Sequence, residues 1–328
     1  MIATHERLEL RVPVPASDGS GADWEIAATV HLPATESLVD RPPVFVGMPG
    51  AGYSRQYYDL PEPGYSEAEY HVARGTVVVA LDHLGVGDSS IPPLEVTTLA
   101  TVAAANHAAV AEIVDRLRHG TLSAGRGPIT PAAVIGAGQS MGGFILAAMQ
   151  AYHRSFDGVA MLGSSMAATQ LPRRPDAPEI VIPAGATPDE AAMIVLGATD
   201  WRWAFHWDDV LPSLVDADLA GGLPIRQTAP IWGSVTTPGL VNALVLPGVV
   251  AAEVAQIDVP VLLARGERDV CAPPIEELAA FTGVTDIASF VAPRMAHMHN
   301  FAGTRQQFWN RIDAFITQVA TATVAAGH

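Results

Sequence analysis

The 328-residue chain contains no lysine; all 18 of its basic residues are arginine. That absence excludes Schiff-base catalysis, a pyridoxal-phosphate anchor and a phosphate-loop lysine. Positive charge is scarce altogether. Against 34 acidic residues the net charge is −16, and no nucleic-acid partner is expected, because phosphate binding needs clustered Lys and Arg. There is one cysteine, Cys271, so no internal disulfide can form. That suits a reducing, cytoplasmic setting. The segment Met1 to Pro13 carries charges at Glu6, Arg7, Glu9 and Arg11 and does not read as a secretion signal. Long apolar runs are missing too. A long uncharged run, Gln227 to Ala252, is interrupted by Pro230, Pro238 and Pro247, so no membrane span is expected there. A second copy covering this run would make a homodimer; a lid packed on its own core would cover it equally well.

What is present is a rhythm. Leu8 to Val14 and Trp24 to Leu32 alternate as two antiparallel strands, joined by the turn-rich segment Ser17 to Gly21. Short apolar runs follow at Val44–Met48, Thr76–Leu81, Ala132–Ala137, Gly158–Gly163, Val259–Ala264 and Ile287–Ala292. Helical stretches separate several of them: Leu99–His119, Met141–His153 and Pro274–Phe281, with Thr304–Val319 after the last. Wholly apolar strands alternating with helices predict a mostly parallel sheet covered on both faces. The rhythm breaks from about Met166 to Asp258. This Pro- and Gly-rich stretch holds Trp201, Trp203, Trp207 and Trp232 and reads as an inserted lid over the sheet edge. Residues 1–165 and 259–328 then form the core, and 166–258 the lid.

The strongest chemical signal is Gly136-Ala137-Gly138-Gln139-Ser140-Met141-Gly142-Gly143, between a strand and a helix. A serine exposed on so sharp a turn needs glycine two residues to either side, at Gly138 and Gly142. At the helix N-terminus, backbone N–H groups favour developing negative charge. Here the chain resembles the α/β-hydrolase family over nearly its whole length. The resemblance implies Ser140 as nucleophile. Three further segments match in order. Met48-Pro49-Gly50-Ala51-Gly52 corresponds to the oxyanion loop, with Pro49 where the family usually has histidine; Ala51 N–H and Met141 N–H are the matching donors. Asp82-His83-Leu84-Gly85-Val86-Gly87-Asp88-Ser89 is similar to a structural turn of the family, with Asp82 capping local N–H groups. Asp269 and His297 follow the last two strands as acid and base, in the chain order the fold requires. The strand ending Gly163-Ser164-Ser165 offers no competing carboxylate.

Other readings of these residues are weaker. His297-Met298-His299 has metal-ligand spacing, but Asn300 and Phe301 follow where a further ligand would be needed, so neither metal nor cofactor is expected. His299 is an alternative base and Glu267 a fallback acid. Cys271 reads as a small buried residue rather than a nucleophile. Trp201, Trp203 and Trp207, with His206 and Arg202 beside them, are candidates for the substrate pocket. Serine rather than aspartate at the turn argues against dehalogenase and epoxide-hydrolase chemistry. The expected activity is hydrolysis of a fairly large, apolar ester or lactone; carbon–carbon bond hydrolysis, thioester or peptide cleavage use the same residues, and a non-catalytic binding protein would keep only the fold. In its general layout, with a Trp-rich lid, the chain also resembles bacterial lactonases that open the macrocyclic lactone zearalenone.

Overall fold

The computed structural model describes residues 5–16, 23–223 and 225–327. The expected turn at Ser17 to Gly21 lies outside them. Eight strands form one sheet in the order β1-β2-β4-β3-β5-β6-β7-β8. They are β1 (Glu6–Pro15), β2 (Asp23–Leu32), β3 (Val44–Met48), β4 (Val77–Leu81), β5 (Val134–Gln139), β6 (Gly158–Leu162), β7 (Val261–Gly266) and β8 (Ile287–Ala292). β2 pairs antiparallel with β1 and β4; the pairs from β4 through β8 are parallel.

The parallel strands β3 to β7 bury both faces, which is why they read as apolar runs; β8, at the edge, is partly exposed. Alternate residues serve opposite layers. Val44, Val46 and Met48 of β3 join a cluster with Ile113 and Leu146. Phe45, between them, joins Ile135, Phe308 and Phe315 on the other side. Ile113→Ala in such a layer costs about 2–5 kcal/mol. Helices flank the strands: α1 (Glu67–Val72), which the sequence reading did not anticipate, and α2 (Leu99–His119) and α3 (Met141–His153), as expected. α2 begins with the Thr98 side chain accepting from Thr101 N–H and ends at Gly120 in the left-handed region.

Between β6 and β7 the chain runs through α4 (Pro188–Gly197), α5 (Trp201–Phe205), α6 (Pro212–Leu219) and α7 (Ala251–Val254) with no strand among the described residues. Then come α8 (Pro274–Ala280) and α9 (Arg305–Ala325). α9 outruns its predicted end at Val319 by six residues, because the Thr- and Ala-rich tail continues the helix after the apolar stripe stops.

One feature of the topology places the site. From β3 the chain passes to β4 on one side and later to β5 on the other. Crevices open at the carboxyl ends of strands where connections diverge in this way. The segments leaving β3 and β5 there are Pro49–Gly52 and Ser140.

Candidate active site

Ser140 stands between β5 and α3 with φ 52° and ψ −120°. A non-glycine residue held there costs about 1–3 kcal/mol, so the surroundings must impose it. They do. A Cβ on Gly138 would lie 2.4 Å from the Gly142 carbonyl, and one on Gly142 2.3 Å from Met48 O. Ser140 N–H donates to Leu162 O at 2.9 Å, and Ser164 Oγ–H donates to Ser140 O at 2.6 Å. The turn is thus fixed on both sides, and the serine side chain remains partly exposed.

The Pro49–Gly52 loop abuts the serine: a Cβ on Gly50 would fall 2.9 Å from Ser140 Cβ. Its carbonyls are pinned. Gly50 O accepts from Tyr53 N–H at 3.2 Å, and Pro49 O from His83 Nε2 at 2.8 Å. His83 Nδ1 in turn accepts from Asn106 Nδ2 at 2.7 Å, so the imidazole is a fixed neutral tautomer. Burial depresses it to about 4. His83 is therefore a structural histidine. Among the described residues the N–H groups of Ala51 and Met141 have no hydrogen-bond partner. Two free donors beside a serine hydroxyl are the local requirement for an oxyanion site.

Asp269 follows β7 and is buried. It accepts four hydrogen bonds: from Gly266 N–H at 2.7 Å, Val270 N–H at 2.8 Å, His297 Nδ1 at 2.6 Å and His299 Nε2 at 2.8 Å. Burial alone would raise this carboxyl, but the charges and hydrogen bonds of the two imidazoles outweigh it and hold it far below the ordinary range. His297 thus presents Nδ1–H to the carboxylate and keeps its Nε2 lone pair free. In this structure Gln139 Nε2, at 3.4 Å, faces that lone pair; among the described residues Ser140 Oγ, on the next residue, makes no hydrogen bond. Donor atoms of Asp269, His297 and His299 lie within 4.8 Å of one another, an ion-site pattern in residue type. Their mutual hydrogen bonds account for that geometry.

Ser140, His297, Ala51 and Met141 all line one cavity of about 360 Å³. Its walls are mainly apolar, with Phe144, Leu171, Leu196, Trp201, Phe205 and Leu244 among them. Among the described residues no carboxylate or guanidinium lines it. A larger hollow of about 560 Å³ opens beside Val134, at the other end of β5, and shares none of these groups.

The other expected pocket residues need correction. Trp201 lines the cavity; Trp203, Trp207 and His206 do not. Trp203 and Trp207 flank the Arg268 guanidinium, whose carbon lies 4.2 and 4.5 Å from their ring centroids. Arg268 sits in the Asp269 loop, far along the sequence, and cation–π contact draws both rings away from the cavity. His206 is buried against Asp218, Nε2 to Oδ2 2.9 Å. Among the described residues the Glu267 carboxylate accepts no hydrogen bond from the imidazole; it accepts from Arg294 N–H instead. Cys271 is buried, and burial pushes its thiol well up, which leaves it a poor nucleophile. The uncharged run supplies Thr237, Pro238, Gly239, Val241, Asn242 and Leu244 to the cavity wall. Sequence reasoning missed Gln139, the role of His299, and Asp218 with its partners. His299 carried a signal, since it is two residues from His297, but Asp218 carried none.

No helix of the described residues is long and apolar enough to cross a membrane. In sequence, no curated protein matches the chain. Solved structures do match in fold. An esterase from Thermogutta terrifontis aligns with a TM-score of 0.59 at 17% identity, covering 95% of this chain and 99% of that one. A proline iminopeptidase from Mycobacterium smegmatis aligns at 0.60 and 18%, covering 95% and 99%. An N-acyl homoserine lactonase aligns at 0.55 and 15%, covering 96% and 98%. The profile of the alpha/beta hydrolase family matches residues 44–307, and the chain belongs to that family.

Proposed function

We propose that the protein is a serine hydrolase that cleaves neutral, apolar carboxylic esters or lactones through an acyl-enzyme. Ser140 is the nucleophile. His297 Nε2 takes its proton as the hydroxyl attacks the carbonyl, and Asp269 fixes the tautomer and stabilises the imidazolium. Ala51 N–H and Met141 N–H receive the oxyanion; each such donor is worth roughly 3 kcal/mol in the transition state. Water, activated by the same imidazole, then releases the acid product. In the reacting complex the Ser140 hydroxyl takes the place of the Gln139 amide at Nε2; such contacts commonly close only when substrate is bound. This chemistry calls on no cofactor. Residues 166–258 act as the lid, and the reducing setting of the cytoplasm suits the lone Cys271.

The observation that carries the reading is the Asp269–His297 pair, at 2.6 Å, opening onto a cavity beside Ser140 with no charged wall. That wall also separates substrate classes. A peptidase that reads a free amino terminus needs a carboxylate in its pocket, and among the described residues none lines this one. A neutral lactone, macrocyclic ones such as zearalenone included, asks only for apolar walls and the oxyanion donors. A panel of p-nitrophenyl esters of rising chain length, lactones, amino-acid anilides and charged short-chain esters tests this. The expected result is turnover of neutral apolar esters and lactones, lost in Ser140→Ala. Preference for the charged esters or the anilides would contradict it.

A further inference from the structure

Resting on the serine-hydrolase reading, we infer that Asp218, buried in α6, is a positioning residue that fixes the oxyanion loop relative to the loop carrying the base. Asp218 is fully buried, and four side chains from four places in the chain meet it. Tyr53 Oη–H donates at 2.7 Å, His206 Nε2 at 2.9 Å, Arg226 Nη2 at 3.1 Å and Trp232 Nε1 at 2.8 Å. Two oxygens with four donors are fully satisfied. Burial opposes the charge, yet His206, Arg226 and Tyr53 outweigh it and hold the carboxyl below its ordinary range.

Two of these partners grip the oxyanion loop. Arg226 donates Nε–H to Gly52 O at 2.9 Å, and a second N–H to Asp218 O. Tyr53, whose ring end is tied to Asp218, gives its backbone N–H to Gly50 O. The Gly50–Ala51 peptide is trans, so its N–H points opposite to that carbonyl. Holding Tyr53 therefore aims the Ala51 N–H. A third partner reaches the base. His206 follows Phe205, whose carbonyl accepts Met298 N–H at 2.9 Å and whose ring lies 4.6 Å from that of His297. One carboxylate thus joins the donor side and the base side of the site through the insertion. Fold stability does not demand a charge here, because well-packed apolar groups often replace buried ion pairs without loss.

The test compares Asp218→Asn, Arg226→Lys and Tyr53→Phe with Asp216→Asn, an exposed neighbour on α6 paired with Arg202. The measurements are kcat and KM on a p-nitrophenyl ester, inhibition by a trifluoromethyl ketone that mimics the tetrahedral oxyanion, and Tm. In Asp218→Asn and Arg226→Lys kcat falls about 10- to 100-fold, the cost of misplacing a catalytic group by roughly 1 Å. KM stays within about twofold, and ketone affinity falls by the same factor as kcat/KM, as for a contact made only in the transition state. Tyr53→Phe falls less, and Asp216→Asn does not change. If Asp218→Asn does not fold, Arg226→Lys and Tyr53→Phe decide. A lowered Tm with kcat and ketone affinity unchanged would overturn the inference alone. A wild-type enzyme indifferent to the ketone and to Ser140→Ala would overturn the hydrolase reading, and the inference with it.

Discussion

Asp269 and Asp218 are both buried carboxylates with four donors, yet they stand in different kinds of chain. Asp269 follows a strand, and two of its donors are backbone N–H groups of its own loop. Asp218 lies in a short helix of the β6–β7 excursion, and all four of its donors are side chains from elsewhere. The sheet places its groups through the ladder and the turns that leave it. The excursion, with little regular structure, places its groups through polar contacts between distant side chains. The two regions then meet on the Pro49–Gly52 loop, which His83 holds at Pro49 from the core and Arg226 holds at Gly52 from the excursion.

The sharpest way to break this comparison is to disable both carboxylates. Asp269→Asn leaves His297 in the wrong tautomer and lowers kcat by about 10⁴-fold, far more than Asp218→Asn. Equal losses in steady-state kinetics would mean that the two play the same part. Acid separates the two grips on the oxyanion loop. The unfolded chain protonates His83 near its ordinary 6.5, while the folded chain resists down to about 4. The folded state therefore binds fewer protons across that window. Stability is fully present above pH 6.5 and falls toward pH 4, by on the order of 3 kcal/mol from this group. Asp218, depressed instead, keeps its contribution until the pH drops below the ordinary carboxylate value. Urea midpoints from pH 7 to 4 check this, and His83→Gln flattens the slope. A slope unchanged in that variant would assign it elsewhere.

Next in size is His299, the second imidazole on Asp269. His299→Phe removes one hydrogen bond to a charged group and lowers stability by about 2 kcal/mol in urea titration, with a much smaller loss of kcat than Asp269→Asn. Smallest are the aromatics of the insertion. Trp201→Ala strips part of the cavity wall and raises KM for an apolar ester by about tenfold. Trp207→Ala disturbs only the seat of Arg268 and leaves KM within about twofold. A reversal of that order would return Trp207 to the pocket.

The same contrast explains what could be read from the sequence. β3 to β7 were legible because burial on both faces leaves unbroken apolar runs such as Val77–Leu81, and β8 by its short, mostly apolar run although the edge position leaves it partly exposed. Ser140 was legible because its turn needs glycine on both sides: Gly138 for the backbone of Gly142 just along the chain, Gly142 for the Met48 carbonyl of the neighbouring strand. Asp269 and His297 were legible by their places after strands. Inside the excursion such local rules fail. Nothing within ten residues of Asp218 announces Arg226's reach to Gly52 or Tyr53's hydroxyl, which is 165 positions away in the chain. Trp203, Trp207 and His206 look like pocket residues until Arg268 and Asp218 arrive from other segments to claim them. The limit is physical: period and turn chemistry encode neighbours along the chain, whereas side-chain networks are set by the finished fold.

The central claim is that Ser140 is an activated nucleophile. Wild-type protein and Ser140→Ala, treated with a fluorophosphonate and measured by intact and peptide mass spectrometry, test it most directly. One adduct per wild-type chain is expected, on the peptide containing Ser140, and none on the variant. An unmodified wild type that still hydrolyses esters, or an adduct on another residue that persists in Ser140→Ala, would contradict it.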